Sequence, residues 1–165
     1  MNGTGASADR AVLVRAASTT DDALVARLRV RFLADVRGLQ GDDLSTDVRH
    51  ATVEYVTRSH ASGTLRSWLA EDDGGPIGLV SLIATEVPPT PSDTRPFDGY
   101  VINLWVSPDR RRRGVGRMLL DTVVAHARTH GFRRVNLLAT EAGHPLYASA
   151  GFATNPDVLE LHLPR

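Results

Sequence analysis

Apolar positions along this chain change period several times, and each change marks an element. AVLVRAA (11–17) is the first sustained apolar run and predicts a short strand. The ten residues before it are small and polar, and predict a flexible tail. Leu24, Leu28 and Phe32 then recur every four residues, with Val25 and Leu33 beside them, as one face of a helix. STTDD (18–22) offers capping hydroxyls and first-turn acids at its start, and Gly38 closes it. The loop RGLQGDDLST (37–46) leads to Ser45 or Thr46, either of which can cap a second helix. Val48, Ala51, Thr52, Tyr55 and Val56 share a face of that helix, which ends before Gly63.

Beyond residue 64 the period shortens to two. LRSWLAED (65–72) sets Leu65, Ser67 and Leu69 against Trp68 and Ala70, DDGGP (72–76) is a turn, and IGLVSLIATEV (77–87) returns as a second strand. PPTPSDTRPFDG (88–99) is a proline-rich loop. YVINLWV (100–106) is apolar except for Asn103, and predicts a strand buried on both faces at the centre of a sheet. Val115, Met118, Leu119, Thr122, Val123 and His126 then share a helical face that ends at Gly131. RRVNLLA (133–139) is a strand, Pro145 and Gly151 bracket a short helix, and LELHL (159–163) alternates as a final strand. The order predicts an α/β (α+β, mixed-sheet) fold with helices on both faces and one domain over 11–165. The unit 100–139 is expected as a right-handed parallel crossover.

Composition narrows the chemistry. With 165 residues, 42% hydrophobic and 23% charged, the chain suits one globular domain. Cysteine is absent, which excludes disulfides and thiolate chemistry, and every basic residue is arginine, which excludes Schiff-base and P-loop lysine chemistry. The formal net charge is zero, which argues against nucleic acid as partner. MNGTGASADR holds no apolar core of leader length and no run is long enough to span a membrane, so a cytoplasmic protein that binds no membrane is expected. His126 and His130 stand four apart, but no third ligand accompanies them, so no metal is expected. Asp42-Asp43 and Asp72-Asp73 sit beside glycines, where turn chemistry accounts for them.

The chemistry concentrates in VSPDRRRRGVGRMLL (106–120), where a buried strand meets a tight turn and a helix start. The first N–H groups of a helix lack internal partners and lie at the positive end of its dipole, so a phosphate can bind there. Gly114 and Gly116 allow close backbone approach, and the flanking arginines add charge. The dinucleotide fingerprint fails because position 119 is leucine, and a lone Gly-x-Gly is weak evidence.

The wider pattern is more specific. Arg111-Arg112-Arg113-Gly114-Val115-Gly116 resembles the Arg/Gln-x-x-Gly-x-Gly/Ala motif of the GCN5-related N-acetyltransferase (GNAT) superfamily. Leu146-Tyr147-Ala148-Ser149-Ala150-Gly151-Phe152 resembles the Leu-Tyr-x-x-x-Gly-Phe that closes many such domains. The likeness spans roughly 11–163. It implies a mixed sheet with a splayed central strand, and acetyl-CoA as cosubstrate. Leu104, Trp105 and Val106 would meet the pantetheine, and Arg111, Arg112, Arg113, Gly114, Val115, Gly116 and Arg117 would form the pyrophosphate site. Tyr147 would be the general acid, and Asn103 would orient the amine or a water. Many family members place a carboxylate on or near the central strand; none lies between Tyr100 and Val106 here, so Glu54, Glu141, His50, His144 and a water chain stand as alternative bases. The acceptor pocket would be drawn from 32–50, 88–98 and 140–146, whose acidic side chains suit a cationic amine or are ordinary polar loop residues. The resemblance implies transfer of acetyl to a primary amine of a small molecule or peptide, and is compatible with a homodimer. A non-catalytic acyl-CoA-sensing module is the alternative.

Overall fold

The structure is a computed structural model that describes residues 11–39 and 44–163. The tail 1–10 and the Asp42-Asp43 pair lie outside the described residues. Strands β1 (Leu13–Ala16), β2 (Leu65–Asp72), β3 (Gly75–Glu86), β4 (Phe97–Val106) and β5 (Phe132–Leu137) form one sheet in the order β1-β2-β3-β4-β5. The first four are antiparallel, and β5 joins β4 in parallel through helix α3 (Val115–Thr129). Helices α1 (Asp22–Arg37) and α2 (Thr46–Ala61) cover one face, and α3 covers the other.

The alternation of β2 explains this sandwich. Leu65 and Leu69 pack with Val25, Leu28 and Val56 beneath α1 and α2, whereas Trp68 and Ala70 pack with Leu119 and Val123 beneath α3. Fully burying side chains of this size contributes about 1.5–3 kcal/mol each. Helix boundaries follow the local signals. Gly38 ends α1 at φ 64°, where its N–H bonds back to Ala34 and Asp35, and Ser45 caps α2 by accepting from the Val48 N–H at 3.3 Å. A short helix α4 (His144–Ser149) carries Pro145 in its first turn.

Several expectations are corrected. LELHL forms no strand, and Leu159 is 95% exposed, because no neighbouring strand offers it a ladder among the described residues. The proline-rich loop ends earlier than expected, since Phe97, Asp98 and Gly99 already pair with β3 and β5. Asp98 fixes this entry to the sheet by accepting hydrogen bonds from Arg133 and Arg134. Strand β4 stands fourth of five, with β3 in the middle. The buried face of α2 is Thr52, Val56 and Ser59, with Tyr55 at its edge; Val48 and Ala51 are exposed. Met118 is likewise exposed on α3. His126 stacks on His130 at 3.8 Å and meets Trp68 edge-on, which is a packing role. No helix among the described residues is long and apolar enough to cross a membrane.

Candidate active site

The site begins with an irregularity in β4. Leu79 pairs with Trp105 and Ser81 pairs with Ile102, so Asn103 and Leu104 together oppose the single residue Val80. Asn103 takes up the extra residue with φ 60°, in the left-handed region that asparagine tolerates better than most side chains. As a result Ile102 and Asn103 both face the α1/α2 layer, and Leu104 faces α3. Asn103 is 1% exposed, and its amide is satisfied on both sides. Its Oδ1 accepts from Arg29 Nη1, and its Nδ2 donates to Ser81 Oγ at 3.3 Å.

The same point is where β4 leaves β5. Their pairing runs from Phe97↔Phe132 to Val101↔Leu137, where β5 ends. Residues Ile102 to Val106 therefore have β3 on one side and no strand on the other among the described residues. Leu104 and Val106, with Trp105 between them, lie on this open edge. Alternate backbone N–H and C=O groups along such an edge are free to pair with an extended polar ligand.

The chain then runs into the arginine–glycine turn. Pro108–Arg110 make one 3-10 turn, Arg111 is extended, Arg112 has φ 62° and Gly114 has φ 83°. A side chain at Gly114 would be strained at that φ, which is the structural reason for glycine there. Gly114 O accepts from the Met118 N–H at 3.0 Å, so the N–H groups of Val115, Gly116 and Arg117 open α3 with no carbonyl of the preceding turn to bond. No acid occupies this first turn, and Arg112 and Arg113 flank it exposed. The helix start is an electropositive surface of backbone donors suited to a phosphate.

The arginines divide their work. Arg110 is tied to Asp72 at 2.8 Å and to Asp109 at 2.6 Å. Arg111 joins the turn to α1. Its Nη2 meets Asp35 at 2.6 Å and its Nε donates to the Val106 carbonyl at 2.9 Å. Asp35 also accepts from Trp105 Nε1 at 2.7 Å, so one carboxylate holds both the turn and the open end of β4. Arg117 pairs with Asp121 and donates to Ser149, which brings α4 against the start of α3.

Tyr147 sits on α4, half-buried and edge-on to Phe152 at 6.0 Å. Burial pushes its hydroxyl pKa up, so the phenol stays protonated at neutral pH. A Cβ built on Gly116 would lie 3.5 Å from Leu146 and 3.8 Å from Val106. The open edge, the helix start and the tyrosine helix therefore converge. Of the sequence candidates for a base, His144 opens the tyrosine helix and Glu141 lies in the turn before it, whereas His50 and Glu54 lie on α2; all four are exposed.

The sequence reading missed a buried polar chain beneath Asn103. Ser81 Oγ lies 2.8 Å from Ser67 Oγ, which lies 3.0 Å from His60 Nε2, and His60 Nδ1 lies 2.6 Å from Asp22. His60 is 7% exposed at its side chain. Asn103 Nδ2 donates at one end of this row and the Asp22 carboxylate stands at the other, with Ser81, Ser67 and His60 joined in sequence between them. Ser59, Thr52 and Val56 mark the inward face of α2, and that face was the available signal for His60. Arg29 was missed for the same reason, because it borders the apolar stripe of α1.

An antiparallel sheet with one parallel addition, splayed beside a glycine-marked helix start, defines an acyl-CoA N-acyltransferase type of fold. The Acetyltransferase (GNAT) family matches residues 33–152. The chain belongs to that family and is a GNAT-type N-acetyltransferase. Solved structures agree. A predicted acetyltransferase from Clostridium acetobutylicum, determined with acetyl-CoA, is similar at 26% identity and TM-score 0.81, over 92% of this chain and 96% of that one. A GCN5-related N-acetyltransferase from Ralstonia eutropha JMP134 is similar at 28% identity and TM-score 0.78, over 92% and 99%. An aminoglycoside acetyltransferase from an uncultured soil metagenomic sample, determined with sisomicin, shares the fold at 14% identity and TM-score 0.71, over 93% and 96%. No curated protein matches the sequence.

Proposed function

We propose that the protein transfers an acetyl group from acetyl-CoA to a primary amine of a small molecule or peptide, by direct attack within a ternary complex. The carrying observation is the open edge of Ile102–Val106 running straight into the N–H groups that begin α3. In this reading the pantetheine arm pairs with the backbone of Leu104, Trp105 and Val106. The pyrophosphate rests on the amides between Arg112 and Arg117, with the Arg112 and Arg113 guanidiniums alongside. Arg111 contributes by holding the turn to Asp35 and Val106.

The free amine attacks the thioester carbonyl, a C–N bond forms, and the C–S bond breaks. The amine gives up its proton to water, one of the bases that the sequence left open; neither hydrogen bond of the Asn103 amide goes to another candidate base. Tyr147 donates its hydroxyl proton to the departing CoA thiolate, whose pKa of about 8.5 makes the phenol a competent donor. Asn103 holds the bulge in shape beside the reacting carbonyl.

The test is release of free thiol from acetyl-CoA across a panel of amines, with the acetylated product confirmed by mass. Amine-dependent thiol release supports transfer. Protection of the fold by acetyl-CoA with no release across the panel would favour a sensing module instead.

A further inference from the structure

We infer that the acceptor carries an oxyanion, a carboxylate or a phosphate, which Arg29 binds beside the reacting amine. This rests on the acetyl-transfer reading of the site and names the substrate class for it.

The observation is a guanidinium without a counter-charge. Arg29 projects from α1 toward the bulge of β4, where it bonds Asn103 Oδ1. Burial lowers its pKa, and the Tyr55 hydroxyl raises it in part. No carboxylate pairs with Arg29 among the described residues, whereas three other half-buried arginines are paired. Arg15 has Asp21 and Glu71, Arg110 has Asp72, and Arg133 has Asp98. Acids on the same helix are already committed, Asp22 to His60 and Asp35 to Arg111 and Trp105.

A half-buried charge facing only neutral partners is costly, and a ligand anion removes that cost. Asn103 accepts at Nη1 alone, so the fork of the guanidinium keeps donors for a bidentate oxyanion. The location selects the ligand. Asn103 marks the point where β4 opens, so an anion on Arg29 lies within one side chain of the thioester site. An amine with an acidic group a few bonds away satisfies both positions. The acidic loop residues are compatible with a cationic amine or are ordinary polar loop residues; this half-buried arginine points to an acceptor with an anionic group.

The experiment uses matched pairs that differ only in the charge: β-alanine with β-alaninamide, glycine with glycinamide, and glucosamine 6-phosphate with glucosamine. Thiol release and ligand-induced thermal shift in the presence of CoA are both measured, on wild type, Arg29→Gln and Arg29→Lys. At least one anionic member should bind and react with a KM about tenfold or more below its neutral partner. Arg29→Gln should erase that difference, and Arg29→Lys should restore part of it. Protection of each variant by acetyl-CoA shows that it is folded. Acidic pairs over phosphate pairs, or the reverse, identify the anion. Equal behaviour of both members in every pair, or an anion preference that survives Arg29→Gln, overturns the inference. Neutral amines acetylated as well as anionic ones would do so while leaving acetyl transfer intact. Absence of acetyl-CoA protection in wild type would instead strike the transfer reading itself.

Discussion

Replacing Asn103 by alanine and, separately, by glycine separates the backbone role of this residue from its side-chain role. Both variants lose the bond from Arg29 and the bond to Ser81. A bond involving a charged group is worth about 1.5–3 kcal/mol and a neutral one about 0.5–1.5 kcal/mol, so both should fall roughly 2–4 kcal/mol below wild type. They differ in the backbone. At φ 60° alanine meets a cost of about 1–2 kcal/mol that glycine escapes. Glycine in turn loses about 0.5–1 kcal/mol through the greater freedom of its unfolded chain. The balance leaves the glycine variant ahead by roughly 0.5–1 kcal/mol, the reverse of the usual order in a strand. Urea unfolding at constant m-value reads this directly, and thermal melting should show a gap of about 1–4 °C. An alanine variant as stable as the glycine variant, or more so, would refute a left-handed Asn103 and with it the bulge that opens β4.

Three further outcomes are expected. Gly114→Val places a β-branched side chain at φ 83° in the turn before α3, and should raise the KM for acetyl-CoA at least about tenfold; an unchanged KM would remove the turn from cosubstrate binding. Tyr147→Phe should lower kcat by about a hundredfold or more and leave protection by acetyl-CoA intact, and full turnover would remove Tyr147 as the acid. Asp21 is held well below the usual carboxylate range, first by hydrogen bonds from Arg15 and then by the Ser18 N–H. Its stabilisation is therefore present above the unfolded pKa of about 3.9 and is lost as pH falls through the depressed folded value. Asp21→Asn should be less stable than wild type at neutral pH and should flatten the acid limb of urea-unfolding free energy; an equally steep limb in the variant would contradict the pairing.

What the sequence revealed is local chemistry. Alternation in 65–72 named both faces of β2 correctly, and Gly38, Pro145 and Gly151 marked helix ends. The glycine-marked helix start and the tyrosine helix were legible because short motifs carry them. The bulge was not, since YVINLWV has the apolar, β-branched look of a regular strand and the extra residue shows only against the register of β3. Asn103, read as a polar interruption, was its one visible trace. The LELHL pattern misled for the converse reason: alternation makes a segment able to pair, but a strand also needs a neighbour. Arg29, Asp35 and His60 gained their roles from partners 74, 70 and 38 positions away, which no local pattern encodes.

Mixing the protein with acetyl-CoA and the amine panel, and following free thiol together with the mass of the amine, addresses the assignment most directly. Thiol should appear only when a suitable amine is present, in equal amount to the acetylated amine, and it should be greatly slowed in Tyr147→Phe. Thiol release that ignores the amine, or its absence with every amine although acetyl-CoA stabilises the fold, would contradict acetyl transfer as the activity of this site.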